Sequence, residues 1–198
     1  MAFEVELKVR LHQPDKVQQR VAALGLFVGE FYKEDVYFKR CDEPDPLPAL
    51  RYRLRREADR SVVTFKYHLS EGDEIEINHE IEFEVSNAHA FFRFTDRFGF
   101  EPFVVKRKRG LVYRIGRAHV ELNNVEYAGH FAEIEILCTD PADVPAARAE
   151  LTSLLTTLDL PLDDLEPRRY IELIYEAHPV RYRFVDNPAL DWPFEEVK

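Results

Sequence analysis

The stretch Phe3-Glu4-Val5-Glu6-Leu7-Lys8-Val9-Arg10 (FEVELKVR) alternates charged and apolar side chains without a break. A period of two places successive side chains on opposite faces of a β-strand. The stretch therefore predicts a strand with one apolar face and one charged face. For a single strand, the simplest interpretation is that the charged face lies in solvent, because antiparallel sheets commonly have one face in the core and one in water.

The same polarity recurs along the chain, and several of the charged faces carry a single sign. Basic faces are predicted at Arg51, Arg53 and Arg55 and at Lys106 and Lys108, and acidic faces at Glu80, Glu82 and Glu84 and at Glu133 and Glu135. A solvated sheet would more readily mix signs, because like charges directly opposite each other destabilise a strand pair. Strands closed into a barrel have an inward and an outward face. We therefore predict that the charges point into a closed antiparallel β-barrel of about eight strands, an α+β fold with helices packed outside.

Alternation and helical spacing together give a coarse map of the elements. Strands are predicted at 2–10, 33–40, 50–57, 61–67, 75–85, 104–115, 118–124 and 130–138. Helices are predicted at 14–26, from a cap at Ser86 to about Phe98, and at 141–158. A segment rich in proline and acids predicts a loop over 41–48.

Composition limits the class of protein. The 198 residues predict one domain, residues 1–177, and a tail, residues 178–198, that packs on the barrel or on a partner. The formal net charge of −10 argues against a general nucleic-acid binder. No apolar run reaches the roughly 18 residues of a transmembrane helix, and no signal-peptide pattern opens the chain. Two cysteines without a CxxC spacing indicate a reducing compartment, so we expect a cytoplasmic protein without a nucleic-acid or membrane partner.

Charges that point into a barrel form two groups of opposite sign. The acidic group is Glu4, Glu6, Glu80, Glu82, Glu133 and Glu135, and the basic group is Lys8, Arg51, Arg53, Lys66, Lys106 and Lys108. Ions that are held so close together are costly to desolvate unless they have partners. Carboxylates suit a hard divalent cation, whereas arginine and lysine suit phosphate. A metal-bound triphosphate is the ligand that both groups would share.

These residues resemble the CYTH superfamily, the triphosphate tunnel metalloenzymes. Glu4, Glu6 and Lys8 match its N-terminal ExExK signature. Further matches are LRYR (Leu50–Arg53), TFK ending at Lys66, HEIEFEV (His79–Val85) and FAEIEI (Phe131–Ile136). The resemblance covers about residues 1–175, and the segment EPRRYIELI (Glu166–Ile174) is most similar to the class IV adenylyl cyclase branch.

The resemblance implies a role for each group of residues. Glu4, Glu6, Glu133, Glu135 and Asn123 would hold Mg²⁺ or Mn²⁺. Lys8, Arg51, Arg53, Lys66, Lys106 and Lys108 would bind the phosphates. Glu80 and Glu82 would orient the basic groups or assist the metal, and with Lys8 they are the catalytic candidates. In a cyclase the ribose 3′-hydroxyl of ATP attacks the α-phosphate, and in a triphosphatase water attacks the terminal phosphate.

Three positions differ from the family pattern and keep alternatives open. Gly110 and Asn78 stand where the family commonly has arginine, and Asn123 stands where it commonly has aspartate. The first alternative is a triphosphatase acting on tripolyphosphate, thiamine triphosphate or a nucleoside triphosphate. The second is a non-catalytic sensor of polyphosphate or nucleotide, and the third is a structural domain with a solvated charged sheet. Members of the family often form dimers, so a homodimer is also an expectation.

Overall fold

A computed structural model of the protein describes residues 3–43, 51–68, 75–187 and 189–197. The strands are β1 (Phe3–Arg10), β2 (Leu26–Arg40), β3 (Tyr52–Glu57), β4 (Arg60–His68), β5 (Glu76–Glu84), β6 (Phe100–Ile115), β7 (Ala118–Val125), β8 (Gly129–Cys138), β9 (Arg181–Phe184) and β10 (Phe194–Val197). The first eight close into an antiparallel barrel in the order β1-β5-β4-β3-β2-β6-β7-β8. This confirms the predicted fold class. The remaining pair, β9 and β10, forms a separate two-stranded sheet.

The helices are α1 (Pro14–Leu24), α2 (Ala88–Arg97), α3 (Val144–Thr157) and α4 (Tyr170–Ala177). Pro14 suits the first turn of α1 because its ring fixes a helical backbone angle. Its missing N–H costs nothing there, since N–H groups of the first turn have no acceptor within the helix. The helix stops at Gly25, whose N–H donates to the Val21 carbonyl. In α2 the capping residue is Asn87, whose side chain accepts from the Ala90 N–H, so the predicted cap at Ser86 is one residue too early.

Several predicted boundaries are wrong for identifiable reasons. Strand β2 begins at Leu26 instead of Lys33, so the predicted helix end at 26 is wrong as well. Leu26, Phe27 and Val28 are all exposed, which leaves no alternation from which a strand could be read. Strand β6 likewise begins at Phe100 instead of Val104, and α4 was not predicted at all.

Some predictions lie outside the described residues or shift in detail. The predicted loop at 41–48 and the predicted strand starts at residues 2 and 50 fall partly there. The first turn of the predicted helix 141–158 is a short 3₁₀ turn, Pro141–Asp143, before α3. Within the described residues, no helix is long and apolar enough to cross a membrane.

By their packing, the described residues fall into two compact units. Unit 1 comprises those within 1–31, 66–80 and 108–169. Its core joins the outward apolar face of β1 to helices α1 and α3 through Val5, Leu7, Val9, Val17, Val21, Ala147, Leu151 and Leu155. The apolar half of the FEVELKVR pattern thus lies under the helices, which leaves its charged half on the inward face.

Unit 2 comprises the described residues within 32–65, 81–107 and 170–198. Its core contains Val36, Phe38, Leu54, Val63, Phe92, Val105 and Trp192. The Trp192 ring lies 5.3 Å from that of Phe92, centroid to centroid. The Trp192 indole N–H donates to Glu34, a buried carboxylate that also accepts from Arg56 and Arg107. The C-terminal segment is therefore held on unit 2 by ring packing and by this polar anchor.

Candidate active site

Strand register places the acidic side chains of unit 1 on one inward face. In antiparallel pairs, directly opposite residues share a face. Glu6 lies opposite both Glu135 of β8 and Glu76 of β5. Lys8 lies opposite Glu133, which in turn faces Glu121 of β7. We call this group the acidic cluster: Glu4, Glu6, Glu76, Glu80, Glu121, Glu133 and Glu135.

Two lysines bind carboxylates of the acidic cluster. The Lys66 Nζ lies 3.2 Å from a Glu4 oxygen and 3.4 Å from oxygens of Glu6 and Glu80. The buried Lys108 Nζ lies 2.7 Å from Glu121 Oε2 and 2.6 Å from Glu133 Oε2. The carboxylates still outnumber the lysines, so the cluster carries excess negative charge.

The pKa shifts in the acidic cluster agree with that excess. Burial, together with the charges of Glu4 and Glu6, raises the pKa of Glu135 to about 8. Burial is also the main cause of the raised pKa of Glu6, against the opposing effect of Lys66. Carboxyls whose pKa values rise in this way are those for which the surroundings disfavour another negative charge. A bound cation would reverse this effect.

Asn123 supplies a neutral oxygen beside the carboxylates. Its side chain is buried, and its Nδ2 donates to Glu133 Oε2 over 2.7 Å. Its Oδ1 is buried without a hydrogen-bond partner among the described residues. Buried polar atoms are nearly always satisfied, so this oxygen is available to accept a further ligand.

The donor set of the acidic cluster fits a hard divalent cation, because carboxylate and amide oxygens are the ligands that Mg²⁺ and Mn²⁺ prefer. In the described part of the chain, no three histidine, cysteine or acidic side chains converge into a ready-made metal site. Lys66 and Lys108 hold the carboxylate oxygens instead. Metal binding would therefore require these ammonium groups to move away from the carboxylate oxygens.

Gly110 explains one departure from the family pattern. A Cβ at this position would lie 2.2 Å from the Leu122 carbonyl oxygen and 3.1 Å from Asn123 Oδ1. Strands β6 and β7 approach so closely that no side chain fits without moving the backbone. The arginine that the resemblance leads us to expect at this position is therefore incompatible with this local geometry.

Lys8 is buried and held by the segment that precedes α4. Its Nζ donates to the Arg168 carbonyl, and its own carbonyl accepts from the Glu166 N–H over 2.8 Å. A hydrogen bond from Arg168 lowers the pKa of Glu166 to about 2, with a further hydrogen bond from Arg10. The negative charge of Glu166 is thus balanced by two arginines, whereas the acidic cluster has more carboxylates than lysines.

A second charged group lies in unit 2 around Asp35, and we call it the Asp35 cluster: Asp35, Tyr37, Arg53, Arg55 and Lys106. Asp35 is fully buried, and its oxygens lie 2.7 and 3.0 Å from Arg55 nitrogens and 2.8 Å from Lys106 Nζ. Arg53 is farther away, at 3.9 Å. Burial by itself would raise the pKa of Asp35, but the charges of Arg55 and Lys106 hold it well below its usual value.

Most of the predicted site residues lie in one of two groups, in or beside the acidic cluster of unit 1 or in the Asp35 cluster of unit 2. Glu80 lies against Lys66, whereas Glu82 is exposed and accepts from the Thr64 hydroxyl over 2.8 Å. Arg51 lies just before β3 and is half-buried. Lys106 lies under the rings of Tyr37 and Tyr170, 5.6 and 5.4 Å from their centroids.

The sequence analysis missed three members of these clusters. Glu121 shares strand parity with Asn123, and Glu76 shares it with Asn78, so a strict count of alternate positions could have found both. Asp35 shares parity with Tyr37, but a lone acid in an aromatic strand gives no sign that it will meet three basic side chains. Its ion pairs are made with side chains of β3 and β6, which lie elsewhere in the sequence.

Comparison with known proteins now decides the family. The model of the CYTH domain matches residues 2–170. This chain belongs to the CYTH family. CYTH proteins are tunnel-fold enzymes that act on triphosphates with divalent metal ions, and the closed barrel of this chain agrees with that fold.

Several known proteins are similar to this one over most of the chain. Adenylate cyclase CyaB of Aeromonas hydrophila is 26% identical over 177 residues, which are 88% of this chain and 90% of that protein. The PH1012 protein of Pyrococcus horikoshii is 30% identical, with a TM-score of 0.74 over 86% of this chain and 98% of that one. A Hippeastrum protein described as an adenylyl cyclase with a dominant triphosphatase activity is 19% identical, with a TM-score of 0.58 over 85% and 91% of the two chains, and shares the fold.

Proposed function

We propose that this CYTH protein is a divalent-metal-dependent adenylyl cyclase that converts ATP into cyclic AMP and pyrophosphate. The observation that carries the proposal is the acidic cluster, with its excess of carboxylates and the orphaned Oδ1 of Asn123. A structural domain would have no use for buried like charges, which destabilise a fold unless a ligand neutralises them.

The proposed metal site uses Glu4, Glu6, Glu133, Glu135 and Asn123. Mg²⁺ or Mn²⁺ bound there would neutralise phosphate charge and help the pyrophosphate to leave. When its carboxylates turn to a metal, Lys66 or Lys108 can donate to a phosphate oxygen instead. Lys8, Lys66 and Lys108 are therefore proposed phosphate ligands in unit 1.

The proposed phosphate ligands of unit 2 are Arg53 and Lys106, together with Arg51. Asp35 holds the side chains of Arg55 and Lys106 in fixed positions. No conformational entropy of these side chains therefore has to be lost when substrate binds. Basic groups that are held in place before the reaction stabilise developing phosphate charge more effectively than mobile ones.

The reaction makes one bond and breaks one. The 3′-oxygen of the ribose bonds to the α-phosphorus, the bond from the α-phosphorus to its bridging oxygen breaks, and pyrophosphate leaves with the bonding electrons. The hydroxyl proton passes to solvent. The similar protein of Aeromonas hydrophila is named an adenylate cyclase, which supports this choice within the family.

A triphosphatase is the second candidate, because the same cationic and metal-binding groups serve when water attacks the terminal phosphate. The Hippeastrum protein, which has the same fold, is described with that activity. Here the oxygen of water bonds to the terminal phosphorus, the bridging bond to that phosphorus breaks, and the diphosphate end of the substrate leaves with the bonding electrons. The terminal group is released as orthophosphate.

Product analysis by chromatography tests the proposal. The protein is incubated with ATP, tripolyphosphate or thiamine triphosphate, each with Mg²⁺, Mn²⁺ or a chelator. Metal-dependent cyclic AMP and pyrophosphate are the expected products, and E133Q should abolish them while the exposed-turn variant E126Q should not. Orthophosphate from every substrate would replace the cyclase by a triphosphatase. Binding without turnover would indicate a sensor.

A further inference from the structure

The first half of β2 has an open edge. In the barrel, β2 lies between β3 and β6. Its register with β3 begins at Lys33, which lies opposite Glu57, the last residue of β3. Residues 26–32 of β2 therefore extend past the end of β3. On this side, the order of the barrel gives β2 no other neighbour among the described strands.

The opposite edge of the same residues runs along β6. The Phe27 ring lies 5.4 Å from the Tyr113 ring, centroid to centroid, and the Phe31 centroid lies 5.5 Å from the Nζ of Lys108. The contacts move down β6 as the chain moves up β2, as they do between antiparallel neighbours. A Cβ at Gly29 would meet no atom within 4 Å. The segment is thus a strand that is fixed by β6 on one edge and accessible on the other.

The open segment is apolar, which is unusual for a strand edge. Leu24, Leu26, Phe27 and Val28 are each between 51% and 61% exposed. From residue 24 to residue 32 the one charged side chain is Glu30, although 32% of the chain is charged. Natural edge strands are usually protected by lysine, by proline or by a bulge. A contiguous exposed apolar patch is typical of a protein–protein interface.

The segment is complementary to itself. Two copies of one strand can pair antiparallel about a two-fold axis. Hydrogen-bonded and non-hydrogen-bonded pairs alternate along such a ladder, so the axis must place one residue opposite its own copy. An axis at Gly29 uses all seven residues from 26 to 32 and places Glu30 opposite Val28 of the second copy. An axis at Glu30 would instead place two carboxylates opposite each other, which destabilises a strand pair.

We propose that two copies of this chain form a dimer in which residues 26–32 of β2 pair antiparallel about Gly29. Because both open edges are used, assembly ends at two copies. A seven-residue edge is small beside the roughly 20–30 residues that each partner gives to a standard interface. We therefore expect the dimer to dissociate at about micromolar concentrations. The proposed metal and phosphate ligands lie outside this segment, so the dimer is independent of the proposed function.

Charges of either sign at Val28 test the pairing and its register. In V28E the new carboxylate lies opposite Glu30 of the second copy, and the two-fold axis repeats this repulsion, so the dimer should weaken about tenfold or more. V28K removes the same valine but places an ammonium group opposite Glu30, so the dissociation constant should stay within about threefold of wild type. The double variant V28E/E30K should recover the dimer, because opposite charges face each other again.

Dissociation constants of the dimer are measured by sedimentation equilibrium over a dilution series of the full chain, without metal or triphosphate. L162E is the control, because it adds the same charge at a leucine that is 60% exposed in the chain between α3 and α4. It should behave as wild type does. Thermal unfolding followed by circular dichroism verifies that each variant is folded, and V28E and V28K are matched in the valine that they lose.

Three outcomes would overturn the proposal. Wild-type protein that stays monomeric up to about 100 μM does not use the edge to bind a second copy. A dimer that V28E and V28K weaken equally is held by apolar contact without this strand register. A dimer that neither variant changes uses another surface. None of these results affects the proposed function, which product analysis tests separately.

Discussion

The acidic cluster of unit 1 and the Asp35 cluster of unit 2 arise from the same alternating pattern but have opposite charge imbalance. In the acidic cluster the carboxylates outnumber the lysines, and the pKa of Glu135 rises to about 8. In the Asp35 cluster one buried carboxylate meets Arg53, Arg55 and Lys106, and its pKa falls. One group lacks positive charge and the other has it in excess.

This difference indicates what each cluster is suited to bind. A group with too many carboxylates gains from a cation, and a group with too many basic side chains gains from an anion. Metal and phosphate are the ions that CYTH enzymes use. The comparison also makes opposite predictions for removing one negative charge, because the loss relieves repulsion in unit 1 and exposes repulsion in unit 2.

The largest expected effect is that of D35N. The change leaves Arg55 and Lys106 buried beside a neutral amide, and breaking a buried ion pair typically costs about 3–5 kcal/mol. Urea unfolding should show this loss, and tripolyphosphate should raise the melting temperature of D35N more than that of wild-type protein. D59N, in the exposed turn between β3 and β4, is the control. Equal stability of the two variants would contradict the charge balance inferred for unit 2.

The C-terminal segment provides a structural contrast within unit 2. W192A removes a buried ring from Phe92 and Phe194 and a donor from Glu34, so we expect a loss of about 3 kcal/mol. Affinity for tripolyphosphate should stay the same, because Glu34 and Asp35 project to opposite faces of β2. W192F should recover most of the stability. A loss of affinity that exceeds the loss of folded protein would show that the segment acts on the Asp35 cluster.

A smaller effect of opposite sign is expected for E135Q. Glutamine resembles the protonated acid that the folded protein favours, so the variant should be about 1 kcal/mol more stable than wild type without metal. The rise in melting temperature that Mg²⁺ or Mn²⁺ gives to wild-type protein should be lost. Both are measured by thermal unfolding with and without chelator, with E126Q as the control. A destabilised E135Q would mean that the acidic cluster has no excess charge.

The smallest expected effect is that of E166Q, which tests whether the excess of negative charge in unit 1 is confined to the acidic cluster. Glu166, also in unit 1, is matched by Arg168 and Arg10, so E166Q should lose about 1 kcal/mol at pH 7. The folded-state pKa of about 2 lies below the usual 4.5. The stabilisation is therefore full above pH 4.5 and disappears as the pH falls through about 2. Urea unfolding against pH measures it, with D163N as the control. A difference that grew on acidification would reverse the sign and contradict the pairing.

The sequence by itself determined the faces of the strands and their charges. Alternation is a local property, so FEVELKVR already separates Val5 and Leu7, under the helices, from Glu6 and Lys8 on the inward face. The recurrence of single-sign faces was sufficient to predict the closed barrel. Periodicity could not predict β2 from Leu26 onward, because its first side chains are exposed without alternation.

Tertiary structure decided which charges meet. Lys66 binds Glu4, Glu6 and Glu80, and Asp35 binds Arg55 and Lys106, because strand register and barrel closure bring together residues from separate parts of the chain. Gly110 is a second example. The sequence shows only that the expected arginine is absent there, whereas the fold shows that β6 and β7 approach too closely for a side chain. A side chain's face follows from its neighbours in sequence, but its partners and pKa depend on atoms that only the folded chain brings within a few ångströms.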